Sequence, residues 1–378
     1  MPDALLVTSS FLPGRGGIES YLATLCDQLA PRLAVLAPGE RDGASLPVDL
    51  PYACVSGPGA MLVPNRAVLR AIERALESTG TNKVLFGTPW PLILLGPSLA
   101  RAGIPYATIV HGAELTVPGA VPVLNTRVAR ALALADLLLP VSGYTQEKTQ
   151  ALIARKGRQQ PPSVVLYARV DAERFTPERK EGVRAELGLG EDDRIVLCFG
   201  RLVARKGVDR ALRAIEDISV RRPGVVLVVA GTGPEEKKLR RLAARSQARV
   251  IMLGRVPDER APGLYAAADV FALPVADRWF GLEIEGLGVV LLEAAAAGTP
   301  CVTGRSGGTP EAVIEGESGF VVDALDHSAL TAALEAILTD PVEAGSMGMR
   351  GRAYVSERFS GHIPGTLEEW LTVEKQGY

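Results

Sequence analysis

The sequence predicts an α/β protein built from two doubly wound, Rossmann-like domains. Two observations carry this prediction. The 378 residues exceed what one hydrophobic core usually serves, and short apolar runs alternate with Gly/Pro turns and helical stretches in both halves of the chain. A composition of 47% hydrophobic, 22% charged and 5% aromatic residues is typical of such a fold.

In the first half, the alternation begins with a strand, a glycine-rich loop and a helix at Glu19–Leu29. The strands predicted there are Ala4–Thr8, Arg32–Ala37, Lys83–Phe86, Tyr106–Val110 and Leu137–Val141, and further helices are predicted near Arg66–Glu77 and Asn125–Ala135. The run Arg155–Pro162 ends in two glutamines and two prolines and reads as a break. The first domain is therefore predicted to cover residues 1–165.

The second half repeats the pattern after this break. Its first elements are predicted as strands Arg194–Phe199, Val225–Ala230 and Val250–Leu253, with a helix at Val208–Ile218. We assign residues 166–354 to the second domain. Residues 355–378 are predicted to form a C-terminal helix within Val355–Lys375 that packs back onto the first domain.

Charge and cysteine content exclude several classes of protein. With 41 basic and 43 acidic residues, the chain has no overall field that favours nucleic acid. Four cysteines lie far apart without a C-x-x-C pair, which favours reduced thiols and argues against a structural zinc site (Cys26, Cys54, Cys198, Cys301). No signal peptide or apolar run of membrane-spanning length is recognisable, so we expect a cytoplasmic protein.

A glycine loop, Gly14-Arg15-Gly16-Gly17, follows the first predicted strand and precedes a helix. Backbone N–H groups and the helix dipole at such a position favour a phosphate, and Gly16 and Gly17 leave the backbone open to it. The loop is not G-x-G-x-x-G, and no acidic residue ends the second strand to bind a nicotinamide ribose. A purely structural turn is the alternative.

His111 lies just past the strand Tyr106–Val110, at the edge where doubly wound sheets bind their ligands. The other two histidines, His327 and His362, are distant in sequence, so a histidine metal cluster is not expected. We expect His111 in the active site, with a structural histidine as the alternative.

The basic loop Gly200–Gly207 also follows a strand and opens a helix. Arg201 and Lys206 would therefore stand where strand-end ligands bind, and two cations there would neutralise a diphosphate. A solvated basic turn is the alternative.

The most informative run extends from Glu283 to Ala294 and contains two carboxylates eight residues apart. If both lay on one helix, Glu285 and Glu293 would share a face. Gly286 and Gly288 indicate a loop with exposed N–H groups suited to sugar hydroxyls and phosphate, and ordinary helix N-terminal charge is the alternative. Further along, Ser306–Glu311 reads as a turn followed by a well-capped helix start.

Taken in order, these stretches resemble the large family of retaining GT-B glycosyltransferases, over nearly the whole chain. Glu285 and Glu293 match the family's E-x7-E motif, Arg201 and Lys206 its G-R-L-x-x-x-K-G motif, and Gly16 and Gly17 its first glycine loop. The resemblance implies two Rossmann-like domains facing across a cleft, with an acceptor-binding N-terminal domain and a nucleotide-sugar-binding C-terminal domain.

The resemblance also implies residue roles. Arg201 and Lys206 would bind the diphosphate, Glu293 the ribose and Glu285 the sugar hydroxyls. The backbone of Gly286, Leu287, Gly288 and Val289 would assist Glu285, His111 would lie beside the transferred sugar, and the nucleobase would lie near Arg255 and Val256. No D-x-D triplet occurs, so neither a metal nor another cofactor is expected.

Within the family, the chain looks most like the actinobacterial phosphatidyl-myo-inositol mannosyltransferases that use GDP-mannose. Matching segments are Phe11–Leu22, Pro91–Leu95 and Glu285–Gly288. Those enzymes carry H-G-H-E where this chain has His111-Gly112-Ala113-Glu114, and the loop Asp277–Phe280 also differs. The resemblance therefore implies a retaining hexosyltransferase that moves mannose from GDP-mannose to a lipid-linked or small-molecule hydroxyl. Transfer of glucose or N-acetylglucosamine from a UDP-sugar is the alternative.

Other functions share parts of this pattern. A nucleotide-sugar epimerase of GT-B shape, a phosphorylase and a non-catalytic sugar-nucleotide sensor are the alternatives, and no pyridoxal-binding lysine motif is recognisable. The helix Asn65–Glu77 places Arg66, Arg70 and Arg74 at i, i+4 spacing, which suits contact with anionic lipid at the inner face of the membrane. Glu73 and Glu77 lie among them, so a solvated face is the alternative.

Overall fold

The computed structural model describes residues 1–14, 16–41, 44–47, 49–116, 118, 121–279 and 281–373. Arg15 of the glycine loop and Phe280 of the Asp277–Phe280 loop, both considered above, lie outside the described residues. The chain divides into two compact units, one formed by residues 1–169 and 361–378 and the other by residues 170–360.

The first unit is built on a parallel sheet of six strands among the described residues, in the order β5-β2-β1-β6-β7-β8. The six strands are β1 (Ala4–Val7), β2 (Leu33–Pro38), β5 (Cys54–Gly57), β6 (Val84–Phe86), β7 (Tyr106–Val110) and β8 (Leu137–Pro140). A separate antiparallel pair, β3 (Glu40–Arg41) and β4 (Ala44–Ser45), lies between β2 and β5 in the chain. Its central strands are entirely buried and read as continuous apolar runs, as strands covered on both faces do.

The helices of this unit follow the strands. They are α1 (Gly17–Gln28), α2 (Arg66–Thr79), α3 (Pro89–Leu92), α4 (Gly96–Arg101), α5 (Ala113–Thr116), α6 (Pro122–Ala133) and α7 (Gly143–Arg155). Asn65 caps α2 by accepting a hydrogen bond from Val68 N, and Gly80 ends it in the left-handed conformation. Apolar side chains of α2 and α6 pack with those of the strands in one core.

The second unit repeats this architecture, with its strands in the order β11-β10-β9-β12-β13-β14. These strands are β9 (Arg194–Phe199), β10 (Val225–Ala230), β11 (Arg249–Gly254), β12 (Val270–Leu273), β13 (Cys301–Gly304) and β14 (Gly319–Val322). The helices are α8 (Val183–Glu186), α9 (Val208–Arg221), α10 (Glu236–Ala243), α11 (Ala261–Ala267), α12 (Val289–Ala296), α13 (His327–Thr339) and α14 (Pro341–Arg358).

In both sheets the first strand of the unit is central. Successive strands are added on one side of it and then on the other, which places a topological switch point between β1 and β6 and between β9 and β12. The fold class predicted from the sequence is thus observed in each unit. Among the described helices, none has the length and apolar character needed to cross a membrane.

The C-terminal segment differs from the single helix predicted over Val355–Lys375, and that prediction is wrong. Residues up to Arg358 continue α14 of the second unit, and a separate helix, α15 (Gly365–Thr372), follows. Buried Lys83 donates hydrogen bonds to the carbonyls of Trp370 and Leu371 at 2.7 and 2.8 Å, which places α15 in the first unit. The ammonium group thereby satisfies carbonyls that the end of a short helix leaves unpaired.

Candidate active site

The donor residues predicted in the second half of the chain gather at one edge of the second sheet, on or beside loops that leave the carboxyl ends of its strands. Arg201 and Lys206 follow β9, Glu285 follows β12, and Arg255 and Val256 follow β11. Since β9 and β12 are neighbours on either side of the switch point, Lys206 and Glu285 meet where an open sheet of this kind has its ligand crevice.

Gly207 allows the basic loop to pass close to the end of β12. It has φ +72°, and a Cβ there would lie 2.1 Å from the carbonyl oxygen of Pro274. The guanidinium of Arg210 donates to the carbonyls of Pro274 and Arg205, at 2.7 and 2.9 Å from Nη2. These contacts hold a 3₁₀ turn, Ala204–Lys206, against the strand end, and the turn presents its cations to Glu285.

Glu285 forms a nearly buried ion-pair cluster with two cations. Its Oε2 lies 3.1 Å from Lys206 Nζ and 3.3 Å from Arg205 Nε, and the side chains of Glu285 and Lys206 are only 12% and 11% exposed. Burial by itself would raise the pKa of Glu285, but the charges and hydrogen bonds of Lys206 and Arg205 hold that pKa below its usual value. The carboxylate is therefore ionised and strongly oriented.

Arg205 is a site residue that the sequence reasoning missed. The sequence reasoning selected Arg201 and Lys206 as the cation pair, whereas Arg201 is exposed and makes no ion pair within the described part of the chain. Only the 3₁₀ geometry of residues 204–206 turns Arg205 towards Glu285, and sequence spacing carries no signal for it. Binding of a diphosphate by Arg201 stays a prediction.

The Ser306–Gly308 loop holds the backbone of Glu285. Glu285 N donates to Ser306 Oγ at 3.2 Å, Ser306 Oγ donates to Asp277 Oδ1 at 2.5 Å, and Gly308 N donates to the carbonyl of Glu285 at 3.1 Å. Gly307 has φ +55°, and a Cβ there would lie 1.8 Å from the Glu285 carbonyl oxygen. The stretch predicted as simple helix capping therefore also positions a site carboxylate.

Among the described residues, the segment after Glu285 carries backbone N–H groups without an acceptor. Within the described residues, no backbone acceptor is found for the N–H groups of Gly286, Leu287, Gly288 and Val289. Gly288 has φ +82° and forms the N-cap of α12, so the partial positive charge of that helix lies at the same place. Such N–H groups suit phosphate or hydroxyl oxygens, as the sequence predicts.

Glu293 lies on α12, whereas Glu285 lies in the loop before it, so the two carboxylates do not share a helical face, and the loop that Gly286 and Gly288 predict is observed. The helix begins only at Val289 because the glycines before it adopt loop conformations. Glu293 Oε2 accepts a hydrogen bond from Tyr265 Oη at 2.8 Å. Burial raises the pKa of Glu293 to about 7, while Tyr265 and the charge of Arg174 act to lower it.

Tyr265 is fully buried among aromatic rings, and the sequence reasoning did not identify it as a site residue. Its ring lies 5.1 to 5.8 Å from those of Phe199, Phe271 and Phe175. A tyrosine on an apolar helix face carries no sequence signal for contact with a glutamate 28 positions away. Its hydroxyl fixes the rotamer of Glu293.

We predict that Tyr265→Phe raises the donor KM roughly fivefold at pH 7 with little effect on kcat, about the loss of one hydrogen bond. The Tyr265 hydroxyl lowers the pKa of Glu293, so its removal moves that pKa upward. Glu293 is predicted to bind the ribose, and protonation would remove an acceptor there, so we expect the donor KM to rise as pH falls through about 7 and this rise to begin at higher pH in the variant. Donor KM measured from pH 6 to 8.5 checks this, and superimposable curves for the two proteins would contradict it.

In the first unit, His111 follows β7 and is held by its ring. Its Nε2 lies 2.8 Å from the carbonyl oxygen of Gly87, which follows β6. A carbonyl only accepts, so Nε2 carries the hydrogen and Nδ1 of the neutral ring is an acceptor. The ring packs edge-on against Tyr21 at 5.6 Å, and burial lowers the pKa of His111 to about 4. A neutral imidazole at a strand end can accept a hydrogen bond from a hydroxyl group.

Gly16 is the extended N-cap of α1, and Gly17 begins that helix. A Cβ at Gly16 would lie 2.5 Å from Oε2 of Glu19, the acidic residue of the first helical turn, whereas nothing lies within 4 Å of one at Gly17. The Glu19 carboxylate thus lies at this helix terminus, and donor binding by the two glycines stays a prediction. Within the described residues, no group of His, Cys, Asp and Glu could hold a metal ion, and the four cysteines are free.

Comparison with known proteins identifies sequences and structures similar to this chain. Residues 179–354 match the sequence profile of the family described as "Glycosyl transferases group 1". A GDP-mannose-dependent alpha-(1-6)-phosphatidylinositol monomannoside mannosyltransferase of Mycolicibacterium smegmatis is 36% identical, over 98% of this chain and 99% of that protein. A GDP-mannose-dependent monoacylated alpha-(1-6)-phosphatidylinositol monomannoside mannosyltransferase of Corynebacterium glutamicum is 32% identical, over 96% and 95%.

Among solved structures, HepE of Anabaena in complex with UDP is similar, with a TM-score of 0.77 and 22% identity over 98% of this chain and 100% of that one. At this identity the likeness concerns the fold, which is GT-B.

Proposed function

Since the chain belongs to the group 1 glycosyl transferases and is a nucleotide-sugar-dependent hexosyltransferase, we propose that it transfers mannose from GDP-mannose, with retention of anomeric configuration, to a hydroxyl of a phosphatidylinositol mannoside. The near-full-length similarity to relatives named for this reaction supports the donor and the acceptor. The observation that carries the proposal is the cluster of Glu285, Lys206 and Arg205 beside the unpaired N–H groups that follow Glu285.

The cluster suits a diphosphate sugar because it offers both charges that such a donor needs. Lys206 and Arg201, which lie in the same loop, face the diphosphate. Glu293 accepts hydrogen bonds from the ribose hydroxyls. Glu285 accepts hydrogen bonds from hydroxyls of the sugar, whose ring lies against the N–H groups of Gly286–Val289. Arg255 and Val256 flank the nucleobase, which the backbone contacts.

In the reaction, the bond between the anomeric carbon and the diphosphate oxygen breaks, and the acceptor oxygen bonds to the same face of that carbon. The leaving phosphate takes the proton of the acceptor hydroxyl, so the products are the glycoside and GDP. Negative charge that builds on the diphosphate is stabilised by Lys206, which Glu285 holds in place before the reaction, and by Arg201. His111 accepts a hydrogen bond from the transferred sugar through Nδ1.

The proposal is tested by product analysis. Incubation with GDP-mannose and a phosphatidylinositol mannoside is expected to yield GDP and a product heavier by one hexose, with the new bond in the α configuration. UDP-glucose and UDP-N-acetylglucosamine are the control donors. Transfer from a UDP-sugar only, or conversion of the donor without acceptor, would replace this function by one of the alternatives considered from the sequence.

We further propose that catalysis needs no divalent ion, because Lys206 and Arg201 supply the positive charge at the diphosphate. Turnover in EDTA is expected to equal turnover in magnesium. Loss of activity in EDTA that magnesium or manganese restores would contradict it.

We propose, lastly, that the protein acts in the cytoplasm as a peripheral protein at the inner membrane face, through α2. Arg66, Arg70 and Arg74 are exposed on this helix, and Met61 and Val63 just before it are 60% and 41% exposed. Cations beside exposed apolar side chains are typical of interfacial helices. The triple change of these arginines to Gln is expected to abolish co-sedimentation with phosphatidylinositol vesicles. The same change on Arg240, Arg241 and Arg245 is the control, and equal binding by both variants would exclude this surface.

A further inference from the structure

Glu114 is a buried carboxyl group in the turn that carries His111. Glu114 lies on α5 and is 1% exposed. Oε1 accepts a hydrogen bond from Gly112 N at 3.1 Å. Burial raises the pKa of Glu114 to about 7, and the N–H groups of Gly112, Glu114 and His111 act to lower it. The carboxyl group therefore accepts hydrogen bonds from backbone N–H groups on both sides of Gly112.

The turn needs such an acceptor because its backbone leaves the strand abruptly. Gly112 has φ +115°, a conformation open to glycine, and within the described residues the N–H groups of residues 111 and 112 have no partner in a strand or helix ladder. A carboxylate has two oxygens that only accept. A glutamine amide has one accepting oxygen and one donating nitrogen, so it cannot replace the carboxylate among several N–H groups.

We propose that Glu114 is a positioning residue for His111, and that its carboxylate fixes the turn from which the imidazole ring reaches the carbonyl of Gly87. The ring contact at 2.8 Å and the Tyr21 contact at 5.6 Å both depend on where this turn holds the His111 backbone. The inference rests on the proposed function, in which His111 lies beside the transferred sugar.

The surroundings of Glu114 contain no competing charge within the described residues. Helix α5 packs against α3, α6 and α7. Helix α3 has no charged residue, and the charged side chains of the other two helices are exposed (Arg127, Arg130, Glu147, Lys148, Arg155). The neighbouring titratable group is His111 itself, whose pKa lies near 4. Between pH 6 and 8, Glu114 therefore titrates while His111 stays neutral.

The inference is tested by NMR of the histidine rings, which is practical because the chain has three histidines. In the wild-type protein, the His111 ring signals are expected to move with a midpoint near pH 7 while their ¹⁵N shifts stay those of a neutral Nε2–H ring. Glu114→Gln should abolish this step. Glu147→Gln, an exposed acid on α7, should leave it unchanged. His327, which pairs with Asp217 at 2.7 Å in the second unit, is the internal reference.

A His111 signal without a step near pH 7 in the wild-type protein would overturn the proposal, and this measurement does not require a variant to fold. A step that persists in Glu114→Gln would overturn it as well.

Steady-state kinetics provide the second readout. Glu114→Gln is expected to lower kcat about 10- to 100-fold, as misplacement of a group at the reacting centre does, with the donor KM changed less than about twofold. Glu114→Asp, which keeps the charge, should retain more turnover than Glu114→Gln, and the reverse order would overturn the proposal. His111→Asn tests the proposed function separately. Unchanged turnover in that variant would remove the role of His111, whereas the ring titration would still decide whether Glu114 positions the ring.

Discussion

Lys206→Met is expected to lower kcat/KM, with a loss of about 2 to 4 kcal/mol in transition-state stabilisation. This is the range for loss of a preorganised charged contact. Methionine keeps much of the side-chain length and removes the charge. Lys206 is 11% exposed and 3.1 Å from Glu285, so the variant also leaves that carboxylate with Arg205 as its remaining partner. Steady-state kinetics with GDP-mannose, together with a thermal melt, measure the two consequences separately.

Lys237→Met is the matched control, because Lys237 is exposed on α10 of the same unit. This variant is expected to retain full activity. Arg201→Met should also lower kcat/KM, because Arg201 is free of ion pairs within the described residues and available to the diphosphate. Near-wild-type kcat/KM in both Lys206→Met and Arg201→Met would exclude the donor-site assignment and, with it, the proposed mechanism.

Glu285→Gln is expected to lower kcat at least about 100-fold while GDP binds as tightly as to the wild-type protein or more tightly. Turnover and GDP affinity are expected to respond differently for a physical reason. In the proposed mechanism the carboxylate acts on the sugar, which GDP lacks, and its ion pairs with Lys206 and Arg205 partly neutralise cations that would attract the diphosphate. Turnover measured with GDP-mannose and GDP affinity measured by calorimetry give the comparison.

Glu283→Gln controls for removal of a negative charge from the same loop, because Glu283 pairs with Arg278 at 3.3 Å and is 41% exposed. We expect nearly unchanged turnover in that control. Losses of GDP affinity and of kcat by the same factor in Glu285→Gln would assign Glu285 to the nucleotide and not to the sugar.

The sequence predicts much of the fold because strands covered on both faces read as continuous apolar runs. Tyr106–Val110, Arg194–Phe199 and Val225–Ala230 occur with the predicted bounds. The edge strand Cys54–Gly57 was not predicted, since it is only partly buried and its composition lacks such a run. The predicted C-terminal helix failed at residues 359–364, where Gly361 and Pro364 interrupt it.

For the site, the sequence by itself identified Lys206, because it lies in a basic loop after a strand, and Glu285, because it lies in a glycine-containing run with a second carboxylate. The structure adds that the two loops leave neighbouring strands and that the two side chains form an ion pair. Gly286 and Gly288 also predict a loop before the helix, and this loop is observed, with Gly288 at φ +82° as the N-cap of α12.

Only the tertiary structure decided which side chains hold the site residues in place. Arg205 forms an ion pair with Glu285, and Ser306 accepts a hydrogen bond from the backbone of Glu285. Tyr265 donates a hydrogen bond to Glu293, and Glu114 accepts one from Gly112 in the turn of His111. Three of these four contacts join residues 21 to 80 positions apart, and a hydrogen bond or ion pair has no periodicity along the chain from which it could be read. The fourth is local, but it depends on burial of a carboxyl group, which packing of α5 against its neighbouring helices decides.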